Sequence, residues 1–575
     1  MKKIAALNLL ILLVLVASCS SKNTDDIKEE QKEVILNNTN QTDRLNTSKS
    51  GVLSIKEAPD EDPEEAKNTK ATFKTSTINE SDIASNIPLI QIAEVSAPKH
   101  NGTTLRATHV AINGNYAYVS YNVEGPTYLG AVDVIDISNP NSPSIALSAI
   151  LPNTDISAVN YYNNALYLAG ASSSINSDGT HPAVLIKMEL ENGLPTDNIA
   201  LIDIPSYVAT DVLANENGIY GVSGVDGVLA QYDISNLTLK ENVSINDLRA
   251  LGEHDNKIIV LSGTDGITVH NSNLTEISSF TTSTDTPEAK RTIDFYNNNV
   301  LVAEGKQGLG IYNINNGNKL TTIDLPTVTD TNIDPDEIVT NAVTVESEHI
   351  FMANWAAGVT VHDLTEGTSN ITTIGTLEID GSTNYVKSAN GYIFVASGNG
   401  GLKIIKTVAN TNTETNIDCT NLPPYIGGYW LNINSNENKA YSGSTSLMGL
   451  NVSANLTFCG TLAVSNGLHI NSNGHFKMSG TLAQGNAENP WNSLIINDGI
   501  LEVEGTLIVY GNMTFNNAAN LKVLGDVTIY GDVTINNNVT IDFLGANSSI
   551  TIHGNVIKNG TPTINGNYTD TFNKL

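Results

Sequence analysis

Five stretches of the chain repeat one phrase, and a repeated phrase must be housed in a repeated structural unit. An apolar strand, a glycine-containing turn and a second apolar strand recur at residues 218–234, 257–271, 299–313, 349–364 and 392–406. Aligned on the turn glycine, they give Gly227, Gly266, Gly308, Gly358 and Gly401, 39 to 50 residues apart. That is the spacing of a four-stranded β-propeller blade. A second repeat follows, in which Gly460, Gly480, Gly505, Gly525 and Gly545 fall twenty residues apart with one five-residue insertion. Between these glycines apolar residues alternate with polar ones, the pattern of a β-solenoid (parallel β-helix-like) domain. In the coil starting at Gly525 the inward positions are Val527, Ile529, Val533, Ile535, Val539, Ile541 and Phe543. Each coil so read offers three short strands, and six coils stacked about 4.8 Å apart make a rod about 30 Å long over residues 440–575. Residues 484–491 interrupt one coil and are expected as an external loop. A chain of 575 residues exceeds what one core can serve, and two repeat systems meet that constraint.

Seven blades fit into residues 87–410. Blade one contains Tyr116-Ala117-Tyr118-Val119 and Val132-Asp133-Val134-Ile135-Asp136; blade two contains Leu166-Tyr167-Leu168 and Val184-Leu185-Ile186. These phrases resemble the extracellular propeller repeat named for its Leu-Val-Ile-Val-Asp strand. The resemblance covers about 320 residues and implies an all-β, seven-bladed propeller; it implies no ligand, because such scaffolds serve many. The strand 89–95, ahead of blade one, is expected to supply the outer strand of blade seven and close the ring.

Residues 1–19 carry a basic start, Lys2 and Lys3, an apolar run over 4–17 and the closing Val16-Ala17-Ser18-Cys19. The run is too short for a membrane span. Its ending resembles the lipobox of bacterial lipoproteins, which implies cleavage before Cys19 and lipidation of its thiol. Each buried methylene contributes roughly 0.8 kcal/mol, so several acyl chains would anchor the protein durably to a membrane. Residues 20–86 are rich in Asn, Thr, Ser, Lys, Asp and Glu and read as a disordered tether, with a reach of about 45 Å as a flexible coil. Asp25-Asp26 is similar to the acidic signals that send lipoproteins of Bacteroidota to the outer cell surface. The resulting expectation is an outer-membrane, lipid-anchored protein displayed on the surface rather than facing the periplasm. An exported protein meets an oxidising compartment, where the two remaining cysteines, Cys419 and Cys459, are expected to form a disulfide between a cap at 411–439 and the solenoid.

With 29 basic against 60 acidic residues, the net charge of −31 argues against nucleic acid as a partner. No His-Glu-x-x-His, nucleophile elbow, phosphate loop or Cys-x-x-Cys is present. His270 and His362 align with Ile135, Tyr232, Tyr312 and Ile405, so they read as packing positions. Asp136, Asp233, Asn271, Asn313 and Asp363 read as caps of the following turn. The residues opening the innermost strand of each blade line one mouth of the channel, and His109, Asp155, Asp211, Arg249, Arg291, Asn341 and Asn384 form the candidate ligand site there. Asp330, Asn332, Asp334 and Asp336 place oxygens at alternate positions, resembling the start of a calcium loop. Pro335 stands where that loop has glycine, and Asn341 stands where it closes on glutamate; a merely hydrated acidic loop is the competing reading. No other cofactor is expected. Trp355 and Trp491 sit on loops and offer flat faces for sugars or partner side chains, or else cover seams of their own domains. The favoured function is a non-catalytic binding or adhesion scaffold presenting the propeller to a protein or polysaccharide. The alternatives are a carbohydrate- or lactone-active enzyme in the channel mouth or solenoid groove, and a spacer within an envelope assembly.

Overall fold

The computed structural model describes residues 33–38, 41–53, 55, 84–139, 142–175, 181–283, 286–287, 289–328, 332–408, 416–545 and 547–575. Within them the chain is all-β: seven antiparallel sheets form a propeller, and two parallel sheets form a solenoid. The expected lipidation site, Cys19, lies outside the described residues.

Blades two to six are four-stranded, with inner strands Thr154–Tyr162, Ala209–Asn215, Leu248–His254, Ile293–Tyr296 and Ala342–Glu346. Blade one opens with Arg106–Asn113 and blade seven with Tyr385–Ala389. Leu89–Val95 pairs antiparallel with Leu402–Thr407, so the first propeller strand becomes the outer strand of the last blade and closes the ring. The repeated polar positions fall where their chemistry requires. Asp136 accepts from Ser138 N, Asp233 from Ser235 N, Asn271 from Asn273 N, Asn313 from Asn315 N and Asp363 from Thr365 N, at 2.8–3.1 Å. His270 and His362 are buried, and each imidazole is held by the threonine two residues before it.

The tether reading of 20–86 needs correction. Ile35–Asn37 adds a fifth strand to blade one, against Ser144–Leu151. Leu45–Asn46 and Gly51–Val52 both pair with Leu89–Val95. Over residues 33–53 the chain is therefore fixed to the propeller at intervals; residues 20–32 and 56–83 of the expected tether lie outside the described residues. Between the strands, Arg44 crosses the closing seam. Its Nε donates to Ser96 O at 3.0 Å on the blade-seven side, and its guanidinium pairs with Asp133 in blade one. Asp133 is fully buried, so the carboxylate has no solvent to replace this partner.

The solenoid has seven turns, the first beginning at Trp430–Ile433, inside the segment expected as cap. Each middle coil combines one ten-residue strand, such as Ile500–Val509, with a short one, such as Met513–Asn516. The long strand bends at a glycine, so two of the three expected faces belong to one strand. Gly443, Gly460, Gly480, Gly505 and Gly525 stack in register at this corner with φ between 105° and 133°. A Cβ at Gly505 would sit on the Gly480 carbonyl oxygen. Gly545 is not part of this ladder: the last coils lengthen, Asp526 pairs with Ser549, and Ser548 Oγ accepts from Gly525 N at 3.3 Å. The expected inward residues of the coil at Gly525, and their counterparts Leu507, Val509, Met513, Phe515, Leu521 and Val523 one coil earlier, all lie in one core cluster.

Cys419 and Cys459 form the expected disulfide, with Cα atoms 5.9 Å apart. Cys459, Ser479, Glu504 and Leu524 are successive rungs of one outer column. Glu504 accepts from Asn416 N at 2.6 Å and from Ile417 N at 2.9 Å. Residues 416–419 are thus fastened across several coils by one covalent and one charge-assisted attachment.

The propeller and solenoid meet along the same N-terminal segment. Val52 N donates to Gly485 O at 2.9 Å, Ala487 N to Ser50 O at 2.7 Å, and Ser446 N to Ser85 O at 2.8 Å. Val52 and Ile90 pack with Ala463, Ala483 and Tyr510 in a shared apolar cluster. The five-residue insertion that interrupts the twenty-residue period is therefore a docking loop for Gly51–Val52.

Two outcomes follow from these contacts. Arg44→Met leaves Asp133 buried and unpaired and should cost about 3–5 kcal/mol in urea unfolding, most of which Arg44→Met combined with Asp133→Leu recovers. Gly505→Ala meets both a φ of 132° and a backbone oxygen, and should destabilise the solenoid by more than about 3 kcal/mol while leaving propeller unfolding in place.

Candidate functional site

The residues expected at the channel mouth are used largely to hold blade to blade. Asp155 of blade two accepts from Val123 N and Leu129 N of blade one at 3.3 and 3.1 Å. Asp211 of blade three accepts from its neighbour Val212 N at 2.9 Å and from Leu251 N of blade four at 3.0 Å. Arg249 of blade four donates to Pro287 O and Ala289 O on the way into blade five at 3.2 and 3.3 Å. Arg291 is fully buried and turns away from the channel, donating to Ala303 O and to Gly263 O of blade four, each at 3.1 Å. Asn341 accepts from Lys290 N at 2.8 Å and donates to Thr383 O of blade seven at 3.4 Å. Asn384 donates to Ala107 O of blade one at 3.4 Å, and His109 stacks on Tyr385 of blade seven with centroids 3.8 Å apart. The seam between blades two and three is held by a residue the repeat alignment missed, Asn160, whose Oδ1 accepts from Ala214 N at 3.1 Å.

The centre of the site is also one that the alignment missed. Inner strands of blades one to four each shift register by one residue near their start, at Thr108, Ser157, Thr210 and Arg249. A β-bulge of this kind re-aims backbone groups out of the ladder. Lys290, on the connection from blade four to blade five, extends across the axis and donates to Thr108 O at 2.7 Å and Ser157 O at 2.8 Å. Its ammonium also lies 5.1 Å from the centre of the Tyr385 ring. One side chain from the fifth blade thereby touches the first, second and seventh.

The electrostatics follow from this burial. Burial pulls the Lys290 ammonium down to about 8, against the opposing pull of Asp211. Burial raises Asp211 to about 6, against two backbone N–H groups and the charges of Lys290 and Lys387. The His109 imidazole is held well below its ordinary value, first by burial and then by the same two lysines. Burial also raises Asp155 to about 6. The arrangement can bind and orient a small polar group. Neither oxygen of Asp211 is unengaged, which disfavours it as a proton-transfer group.

The proposed calcium ligands are only partly described, since Asp330 lies outside the described residues. Asp334 caps the short helical turn Pro335–Glu337 by accepting from Asp336 N at 2.9 Å. Asp336 pairs with Lys306 at 2.6 Å. Asn332 precedes this turn and is exposed. Of the two tryptophans, Trp355 is half-buried in the blade-six hairpin, where its carbonyl accepts from Thr383 N and Oγ1 at 2.9 and 2.8 Å. Trp491 stands 84% exposed on the docking loop.

No protein-family model matches the chain, and no curated protein matches it. Among solved structures, the WD40 β-propeller domain of Doa1 is 10% identical, with 57% of this chain and 97% of that chain covered at a TM-score of 0.40. The computationally designed Ika8 protein is 11% identical, with 54% and 98% covered at a TM-score of 0.35. Likenesses at these scores carry no argument about the site.

The raised Asp211 predicts a signature in stability against pH. Its folded value, about 6, lies above the ordinary carboxylate range, so the folded state binds the extra proton and stability falls as pH rises from about 4 to about 6. Asp211→Asn lowers stability at every pH but should flatten this slope; the check is the difference between wild-type and variant urea midpoints across that interval.

Proposed function

We propose that the protein is a lipid-anchored binding scaffold of the outer membrane, displayed on the cell surface and without catalytic activity. The observation that carries this reading is how the channel-mouth groups are spent. They fasten neighbouring blades, whereas Trp491 is offered outward from a loop clamped at the domain junction. A rigid junction bearing an exposed aromatic suits adhesion to a protein or polysaccharide, because a pre-ordered contact loses little entropy on binding. The Val16-Ala17-Ser18-Cys19 motif supports the anchor, and Asp25-Asp26 supports surface display.

The enzyme reading requires carboxylates free to act on a substrate at one mouth. Asp155 and Asp211 instead accept backbone N–H groups. The spacer reading shares the anchor and differs in its partner.

Labelling with a radioactive fatty acid should tag the wild-type chain and not Cys19→Ser, which should move to the soluble fraction; equal labelling of both rejects the anchor. Binding of the full chain to a glycan panel and to extracts of its own envelope separates the remaining readings. Saturable binding weakened by Trp491→Ala supports the scaffold, while one constant membrane partner indifferent to that change supports the spacer.

A further inference from the structure

We propose that the axial chamber of the propeller holds one small monoanionic carboxylate, gripped by Lys290, Lys387 and Tyr385. Around the axis unspent donors outnumber unspent acceptors, whether or not the chain is anchored. Tyr385 and Lys387 share one face of the innermost strand of blade seven by alternation, and both the Lys290 ammonium and the His109 ring lie against the Tyr385 ring. Neither the Tyr385 hydroxyl nor the Lys387 ammonium has a hydrogen-bond partner among the described residues. Lys290 spends two of its three hydrogens on Thr108 O and Ser157 O and has one left. His109 lies flat on Tyr385; its ring is held neutral and hydrogen-bonds the Val159 backbone, so the partnerless Nδ1 carries a lone pair and the imidazole walls the chamber without adding a donor. The spare hydrogen of the Lys290 ammonium calls for an acceptor.

The carboxylates of the same chamber are already engaged. Asp211 accepts from Val212 N and Leu251 N. Asp294 of blade five accepts from Phe295 N at 2.9 Å and from Val345 N of blade six at 3.1 Å. Two lysines and two aspartates make the chamber's own groups electrically balanced. A single negative charge with two oxygens matches the surplus donors, whereas a dianion would overcharge a site that keeps Asp211 and Asp294. Small size is required as well, because Lys290 spans the channel.

The test uses the full-length protein and carbon-13 acetate, followed by NMR with ionic strength balanced by sodium sulfate. One acetate should bind saturably per chain. Tyr385→Phe removes only the hydroxyl and keeps the stack on His109; Lys387→Met removes only the charge. Each should weaken acetate about ten-fold or more, as expected for a hydrogen bond to a charged group, with thermal unfolding of Tyr385→Phe otherwise close to wild type. Affinity should fall as pH rises through about 8, where Lys290 gives up its proton; His109, Lys387, Tyr385, Asp211 and Asp294 are the other titratable groups facing it. Sulfate, a dianion at neutral pH, should bind more weakly than acetate. The proposal is overturned by the absence of saturable acetate binding, which would leave water as the occupant, by unchanged affinity in both variants, or by sulfate binding as tightly as acetate.

Discussion

The structure depends on one strand, Leu89–Val95. A propeller whose last blade lacks its outer strand is an open ring with an unpaired edge, and closure by a strand from the far end of the sequence joins the two ends directly. The loop closed in this way spans the whole propeller, so its entropy cost is met at one seam. That seam is correspondingly reinforced. Leu89, Ile92 and Val95 enter the core shared by blades one and seven, Lys403 pairs with Glu94 at 2.7 Å, and Arg44 ties the corner to the buried Asp133. Ile90 of the same strand faces Ala463, Ala483 and Tyr510 of the solenoid. Ring closure and domain docking are thus two uses of a single seven-residue element.

The solenoid obeys a different constraint, since each coil is stable only through the coils beside it. The glycine column lets the long strand turn a corner while its backbone stays in hydrogen-bond register with the coil below. On the outside, amide ladders repeat the same economy: Asn536 donates to Asn516 at 2.6 Å and Asn559 to Asn536 at 2.8 Å. Tyr510, Tyr530 and His553 stack with centroids 5.0 and 4.8 Å apart, close to the coil spacing. Protection is uneven along the rod. Toward its N-terminal end the disulfide and Glu504 fasten residues 416–419 to it, whereas the last strands, Val556–Lys558 and Thr563–Asn565, are largely exposed. Fraying is therefore expected to begin at the C-terminal coil.

What the sequence discloses and what it hides follow from the same physics. Blade glycines, turn-capping aspartates and inward solenoid residues are legible because a repeated backbone imposes the same chemistry at each pass. Cys419 and Cys459 are legible as a pair because the alternation sets Cys459 on the outer face. The bulges at Thr108, Ser157, Thr210 and Arg249 leave no such mark, because a one-residue shift is absorbed without a characteristic residue. Arg291 reads from the repeat as a channel residue, yet it precedes the inner strand of blade five with φ at 57° and turns into the seam with blade four. Lys290 escapes for another reason: it lies in the irregular connection between repeats, where no neighbouring blade supplies a counterpart. The strands at 35–37, 45–46 and 51–52 hide in a polar composition typical of disorder. Their pairing comes from edges that the rest of the chain has already built, which local sequence cannot report.

The order of those attachments has a mechanical consequence under the proposed N-terminal anchor. Among the described residues the attachments begin with Glu33, which accepts from Ser174 Oγ at 3.1 Å, and with Val34 in the core of blades one and two; Ile35–Asn37 follows with three residue pairs and leaves Ile35 and Leu36 38% and 39% exposed. The next is the buried Arg44–Asp133 pair, and only then come Gly51–Val52 and the solenoid loop. Tension would thus meet a weak edge strand, then a charge pair whose separation strands a carboxylate in the core, then the clamp between domains. A graded series of this kind dissipates small pulls at its outer end. The ring closure and the domain junction are shielded from them, because each later contact is loaded only after the one before it has failed.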